Sequence, residues 1–239
     1  CRTERRLARP RPAQQGLSLV ELMVGITIGL LVVAGASTMA VSQVVEHKRV
    51  VLEAQVQQEL RAAAEIMARE LRKAGSWGSP ELGLWSERSS EPRSNPYGAV
   101  SVSDDGRRIE FAYSKQLGQS ATYGADAATA PAADERRGFR LQGEHLEFLL
   151  GSGGYQPLTD PASLVVTRFE ARLKSSTAAL SSRCFKPCAS GNTQCPPTLT
   201  VREVQVLIEA HARHDPQVQR KLDFSTRLVA DQVSGSCQA

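Results

Sequence analysis

The sequence predicts an α+β fold in which a long N-terminal helix packs, over its second half, on an antiparallel β-sheet. Three observations predict it. Residues 22–45 carry no charge, an apolar stripe at helical spacing continues to Ala74, and beyond residue 99 short segments alternate apolar with polar residues. Aromatic residues make up only 5% of the 239, so the core is expected to be mainly aliphatic.

The charge is informative by its place. Residues 1–16 hold five arginines (Arg2, Arg5, Arg6, Arg9 and Arg11) against Glu4, which accounts for the whole net charge of +4. A nucleic-acid binder would carry its excess on the folded domain, so no nucleic acid is expected as a partner. Beside an apolar run, a basic arm instead orients a membrane segment, with the arm on the cytoplasmic side. The chain opens on Cys1 rather than Met, so its translation start is expected upstream.

The run from Leu22 to Val45 would span roughly 36 Å as a helix, enough to cross a bilayer. Three readings compete for it. A secretory signal peptide would be cut near Ala34-Gly35-Ala36. A signal anchor would be kept uncut. The third is a segment cut on its cytoplasmic side and retained. Glu21 decides among them. A carboxylate at the centre of a membrane span costs about 2.5–3.5 kcal/mol, and less near its edge. Neither of the first two readings has a use for it.

The stretch Gln15-Gly16-Leu17-Ser18-Leu19-Val20-Glu21-Leu22-Met23-Val24-Gly25 closely resembles the prepilin signature of type IV pilins and type II secretion pseudopilins. The resemblance implies a type IV pilin-like fold, cleavage after Gly16 by the prepilin peptidase and methylation of the new N-terminus at Leu17. It further implies that Glu21 serves assembly by pairing with the N-terminal amine of a neighbouring subunit. A buried charge needs such a partner. Leu17 departs from the Phe usual in major pilins. Gly25 and Gly29 form a small-xxx-small pair that would let a neighbouring helix approach closely. No proline occurs between Pro12 and Pro80, so the helix is expected without the kink that major pilins often have.

Helical periodicity then continues into polar sequence. Leu52, Val56, Leu60, Ala63, Met67, Leu71 and Ala74 form one stripe, and Glu53, Gln57, Arg61, Glu65, Arg69 and Arg72 the opposite, solvated face. Glu65 precedes Arg69 by four residues, spacing that allows a modest ion pair. Gly75 is placed to end the helix, and Trp77-Gly78-Ser79-Pro80 to stop it. The run from Leu60 to Gly78, with its arginine-rich turn before Ala74-Gly75, resembles the same stretch of PilW-type minor pilins.

Residues 75–99, rich in Ser, Pro and Gly, read as a surface loop pinned by Trp77 and Trp85. Ile109, Phe111 and Tyr113 mark a strand after Asp104-Asp105-Gly106. Phe139 and Leu141 lead through Gly143 to Leu146, Phe148 and Leu150 as a hairpin. Val165, Thr167, Phe169, Ala171 and Leu173 share one strand face, as do Val204, Val206, Ile208, Ala210 and Ala212. Leu222, Phe224, Leu228 and Ala230 mark a last strand. One-faced alternation requires a cover for the dry side, and the helix stripe supplies it.

Four cysteines, Cys184, Cys188, Cys195 and Cys237, read as two disulfides in an exported domain, with three connectivities open. The simplest has Cys237 tethering the tail through Cys195 while Cys184 and Cys188 close a small ring. The spacing is too loose for zinc, and His211, His214 and Asp215 read as solvated surface, so no metal is expected. Gly151-Ser152-Gly153-Gly154 lacks the strand–turn–helix setting of a phosphate loop. No catalytic residues and no cofactor are expected.

The organisation is therefore read as a cleaved leader over 1–16, a transmembrane half-helix over 17–45, an amphipathic half-helix over 46–75 and a β-rich domain over 76–239. The resemblance implies a non-enzymatic minor pilin that helps initiate pilus assembly near the tip. Its implied partners are the prepilin peptidase, other minor pilins, the major pilin, the inner membrane and a tip adhesin. Its implied location is the inner membrane, N-terminus inside and domain in the periplasm, and then the pilus. The rival readings are a J-like type II secretion pseudopilin and a secreted binding protein with an ordinary signal peptide.

Overall fold

A computed structural model describes residue 16 and residues 18–83, 93–115 and 130–238. The leader over 1–15, Leu17 and Trp85 lie outside them, as does most of the Ala-rich stretch 120–135. The chain divides into two units, residues 1–50 and residues 51–239. Helix α1 (Leu19–Lys73) supplies the first and opens the second.

The first unit is helix with no core of its own. Its large apolar side chains, from Leu19 to Val50, are 49–74% exposed. An 18-residue window of α1 reaches a mean hydropathy of 2.3, and α1 is the one helix among the described residues long and apolar enough to cross a membrane. Hydroxyls in this stretch do not stay open. Thr27 donates to the Val24 carbonyl, Ser37 to Val33, Thr38 to Gly35 and Ser42 to Met39, all at 2.8–2.9 Å. Folding polar side chains back onto the helix backbone in this way removes their need for water.

The second unit begins where the stripe turns one-sided. Val56, Leu60, Ala63, Met67, Leu71 and Ala74 are at most 2% exposed, and Leu52 packs partly against the same core. Burying a side chain such as Leu60 or Leu71 contributes about 1.5–3 kcal/mol. The helix ends as its sequence predicts: Gly75 takes φ +78°, a conformation that strongly favours glycine. Glu65 and Arg69 stay exposed and unpaired; a surface pair of this kind gains too little to hold two long side chains together.

Where one sheet is expected, there are two, both antiparallel. The first has five strands in sequence order: β1 (Val100–Val102), β2 (Arg108–Ala112), β3 (Arg136–Gln142), β4 (His145–Leu150) and β5 (Tyr155–Pro157). The β3–β4 hairpin turns at Gly143, φ +59°, as the sequence predicts. Phe139 stacks on Phe148 at 4.8 Å between ring centres. β5 closes this sheet as a short edge strand containing Pro157, whose ring nitrogen has no proton to extend the ladder.

The second sheet orders β6 (Leu164–Ala179), β7 (Thr198–Ala212) and β8 (Asp215–Arg227), with β9 (Gln232–Ser234) on β7 beyond the end of β8. Both sheets and the helix stripe share one core. Two turns of the first sheet dock on the outer edge of β6. The Ala171 amide donates to Gly106 at 2.8 Å and the Val166 amide to Glu144 at 2.7 Å.

The predicted face of β6 is buried at Val165, Phe169 and Ala171 but exposed at two residues, Thr167 and Leu173. Thr167 is exposed, whereas Leu164, Val166, Phe169 and Ala171 are buried. A bulge between Val166 and Arg168 inserts Thr167 as an unpaired residue, so the inward parity switches from even to odd. Its hydroxyl donates to the Glu209 carbonyl. On β7 the predicted face is buried throughout, from Val204 to Ala212, and extends to Arg202 at 5% exposure. Arg202 donates to the Gly98 carbonyl at 2.5 Å and to Ala230 at 3.1 Å, tying two loops to the sheet. Burial holds its guanidinium below the usual arginine range, and the Asp231 carboxylate opposes that shift.

Candidate functional site

The N-terminal constellation is set out along one helix start. Gly16 is exposed and precedes α1, and Leu17 lies outside the described residues. The Leu22 amide donates to the Ser18 carbonyl at 3.1 Å, which closes the first turn. Glu21 stands in that turn, fully in the open. A carboxylate near a helix N-terminus is favoured by the helix dipole. Every hydroxyl-bearing side chain within the apolar stretch of α1 has a backbone acceptor, but Glu21 has no hydrogen bond or ion pair. It is the one unneutralised charge between Leu19 and Val45.

Gly25 and Gly29 lie four residues apart on one side of this helix, and a Cβ built on either meets nothing within 4 Å. Within a single chain both positions are therefore open. The apolar surface around them is exposed in its own unit, and an apolar patch of this extent marks an interaction surface.

The cysteines pair differently from the simplest expectation. Cys184 bonds Cys237, with Cα atoms 5.3 Å apart, and Cys188 bonds Cys195 at 5.5 Å. Two tight turns, with the Asn192 amide donating to the Ala189 carbonyl and the Cys195 amide to the Asn192 carbonyl, fold Cys195 back on Cys188. Pairing of Gln232–Ser234 with Thr198–Thr200 runs the tail back along β7, and the Ser236 amide donates to the Gln194 carbonyl at 2.9 Å. The tail thus passes beside Gln194, and with Cys195 already bonded to Cys188 it is Cys184 that takes Cys237. Among the described residues no three His, Cys, Asp or Glu side chains gather as metal ligands. His211 Nδ1 instead lies 2.9 Å from the Ala212 carbonyl.

A second feature gives no signal in the sequence. An open groove of about 900 Å³ runs between α1 and β8, lined by Glu65, Arg69 and Arg72 on the helix and by Phe224, Ser225 and Arg227 on the strand. The helix residues belong to the face expected to be plain solvated surface. Only folding brings the edge of β8 alongside them.

Two family models match the chain. Residues 11–37 match the prokaryotic N-terminal methylation motif. Residues 49–228, about three quarters of the chain, match a family described as prepilin peptidase-dependent protein B. Searches of curated proteins and of solved structures returned no match.

Proposed function

The chain belongs to the prepilin peptidase-dependent protein B family, and on that premise we propose that this pilin-like subunit is a minor pilin of the PilW type. Such families are structural rather than enzymatic. In this reading the prepilin peptidase cuts after Gly16 and the new N-terminus at Leu17 is methylated. Residues 17–45 then hold the subunit in the inner membrane, N-terminus towards the cytoplasm. Residues 46–75 carry the domain of residues 76–239 in the periplasm.

The observation that carries the reading is the lone Glu21 carboxylate, one turn from the cleavage point in an otherwise self-satisfied apolar helix. Cleavage would liberate an ammonium on Leu17. That amine and Glu21 are four residues apart in the sequence, and an axial step between neighbours would bring amine and carboxylate together. Pairing of the two charges offsets the cost of holding either in an apolar setting. It also fixes axial register, and Gly25 and Gly29 would let the neighbouring helix approach. Stacked helices shield one another's apolar surface as they leave the bilayer, so a small set of minor pilins lowers the cost of the first extraction step. The subunit would then sit near the tip with other minor pilins, above the major pilin and beneath a tip adhesin.

The test is incorporation. Glu21→Ala is expected to leave the protein folded and membrane-bound but missing from sheared filaments. Normal incorporation of that variant would contradict the proposal. Deletion is expected to abolish pili and twitching. If deletion instead blocks protein secretion and leaves pili intact, the subunit belongs to a type II secretion pseudopilus.

A further inference from the structure

The two outer edges of the second sheet are treated differently. The edge of β6 is covered over its first half, where the turns at Gly106 and Glu144 bond to it, and residues 172–179 beyond stay exposed. β8 is the terminal strand on the other side and, among the described residues, pairs only with β7. An uncovered edge offers unpaired amides and carbonyls to another chain.

Part of the β8 edge is closed by α1. Arg220 reaches across to Glu53 at 2.6 Å, and beyond the strand the Val229 amide donates to the Arg72 carbonyl at 3.2 Å. The groove opens between these two closures, at Phe224–Arg227. Ladder geometry says which groups face it. Leu228 donates to the Arg202 carbonyl and the register places Thr226 opposite Val204, so both residues bond inward to β7. Antiparallel alternation then turns the N–H and C=O of Ser225 and Arg227 outward. The groove therefore presents two amides and two carbonyls in strand geometry.

Its charge is also one-sided. Arg227 is neutralised by Asp231 at 2.6 Å. Arg69 and Arg72 make no ion pair and outnumber Glu65, and the exposed Val229 lines the same space. We propose that this groove receives an extended, carboxylate-bearing segment of a different neighbouring subunit, which adds as a strand to β8 at Ser225–Arg227. Backbone pairing supplies the strand register, and Arg69 and Arg72 select acidic side chains on the incoming segment. This inference rests on the filament-subunit reading above.

Full-length protein carrying a photocrosslinking amino acid in place of Glu65 tests the proposal in cells assembling filaments. The expected product joins this position to a sibling filament subunit, within a segment containing Asp or Glu. Ser225→Pro removes an outward amide and leaves the β7 ladder untouched, and a proline is tolerated at such an edge position. Arg69→Glu with Arg72→Glu reverses the groove's charge without touching the strand. Each change is expected to lower the crosslink yield about tenfold, the loss of roughly one to two backbone or charge-assisted bonds. If Ser225→Pro fails to fold, judged by protease resistance, the arginine variant decides alone. Crosslinks to a second copy of this chain, to a segment without carboxylates, or in undiminished yield from both variants would overturn the proposal. Mature N-terminus and filament incorporation are read in the same cells. Loss of those in the parent protein indicts the subunit reading, whereas their retention with an unaffected crosslink indicts the groove alone.

Discussion

The two ends of α1 obey the same backbone rules and are stabilised by different surroundings. From Leu19 to Val45 the helix is apolar on every side, and its only charge is Glu21. From Val56 to Ala74 it is apolar on one side, and that side is sealed against two sheets. A helix apolar all round has no preferred face and depends on lipid or neighbours. A one-sided helix carries its partner within its own chain. Residues that look alike in composition, Leu30 and Leu60 for instance, therefore hold different things together.

The largest expected effect tests that difference directly. Leu60→Ala removes a side chain 1% exposed and should lower the stability of the domain by about 3–5 kcal/mol, read by denaturant unfolding in detergent. Leu30→Ala, at 65% exposure, should leave the same unfolding curve unchanged. Equal losses from both would break the contrast.

Next comes the covalent closure that only the second unit has. Opening the Cys184–Cys237 bond by serine substitution of both residues frees a loop of 53 residues and should cost about 2–4 kcal/mol. Opening Cys188–Cys195, with a separation of 7, should cost less.

A smaller effect belongs to the joint between helix and domain. Gly75→Ala forces a Cβ into a left-handed conformation, 3.0 Å from the Ala230 Cβ, and should cost about 1–2 kcal/mol by thermal unfolding.

The smallest is a titration of two tyrosines, Tyr155 in the first sheet and Tyr113 just past β2. Burial, with the Glu110 carboxylate accepting its hydroxyl, pushes the Tyr155 phenol up to about 12, and burial with Glu70 raises Tyr113. A raised folded-state value means that the neutral phenol is favoured by folding. The associated stability is complete below the ordinary tyrosine value of about 10 and is lost as pH climbs through about 12. Alkaline absorbance titration should show these tyrosines ionising later in the folded protein than in the unfolded chain.

Much of this was legible in the residues because it follows from period and sterics. The stripe from Leu52 to Ala74, the stop at Gly75, the turn at Gly143 and the buried face of β7 are each local patterns that the fold preserves. What escaped is non-local. The bulge at Thr167 depends on how β6 meets β7, and β-branched threonine suits either parity. The division into two sheets depends on where a short edge strand ends at Pro157. The cysteine pairing depends on how the chain turns between Ala189 and Cys195, which folds Cys195 back on Cys188 and leaves Cys184 for the tail. At the N-terminus the motif from Gln15 to Gly25 was readable as chemistry, since a carboxylate in an apolar run demands a partner. The groove beside β8 was invisible, because its arginines resemble any solvated helix face until the strand lies next to them.

The central claim is that this helix is trimmed to Leu17 and then kept, so that Glu21 meets a newly made amine. Intact mass and N-terminal sequencing of the protein recovered from membranes test it most directly. The account predicts a chain that begins with N-methyl-leucine at position 17 and retains Glu21, Gly25 and Gly29. A mature chain that begins near Ala36, or one that still carries residues 1–16, would contradict it.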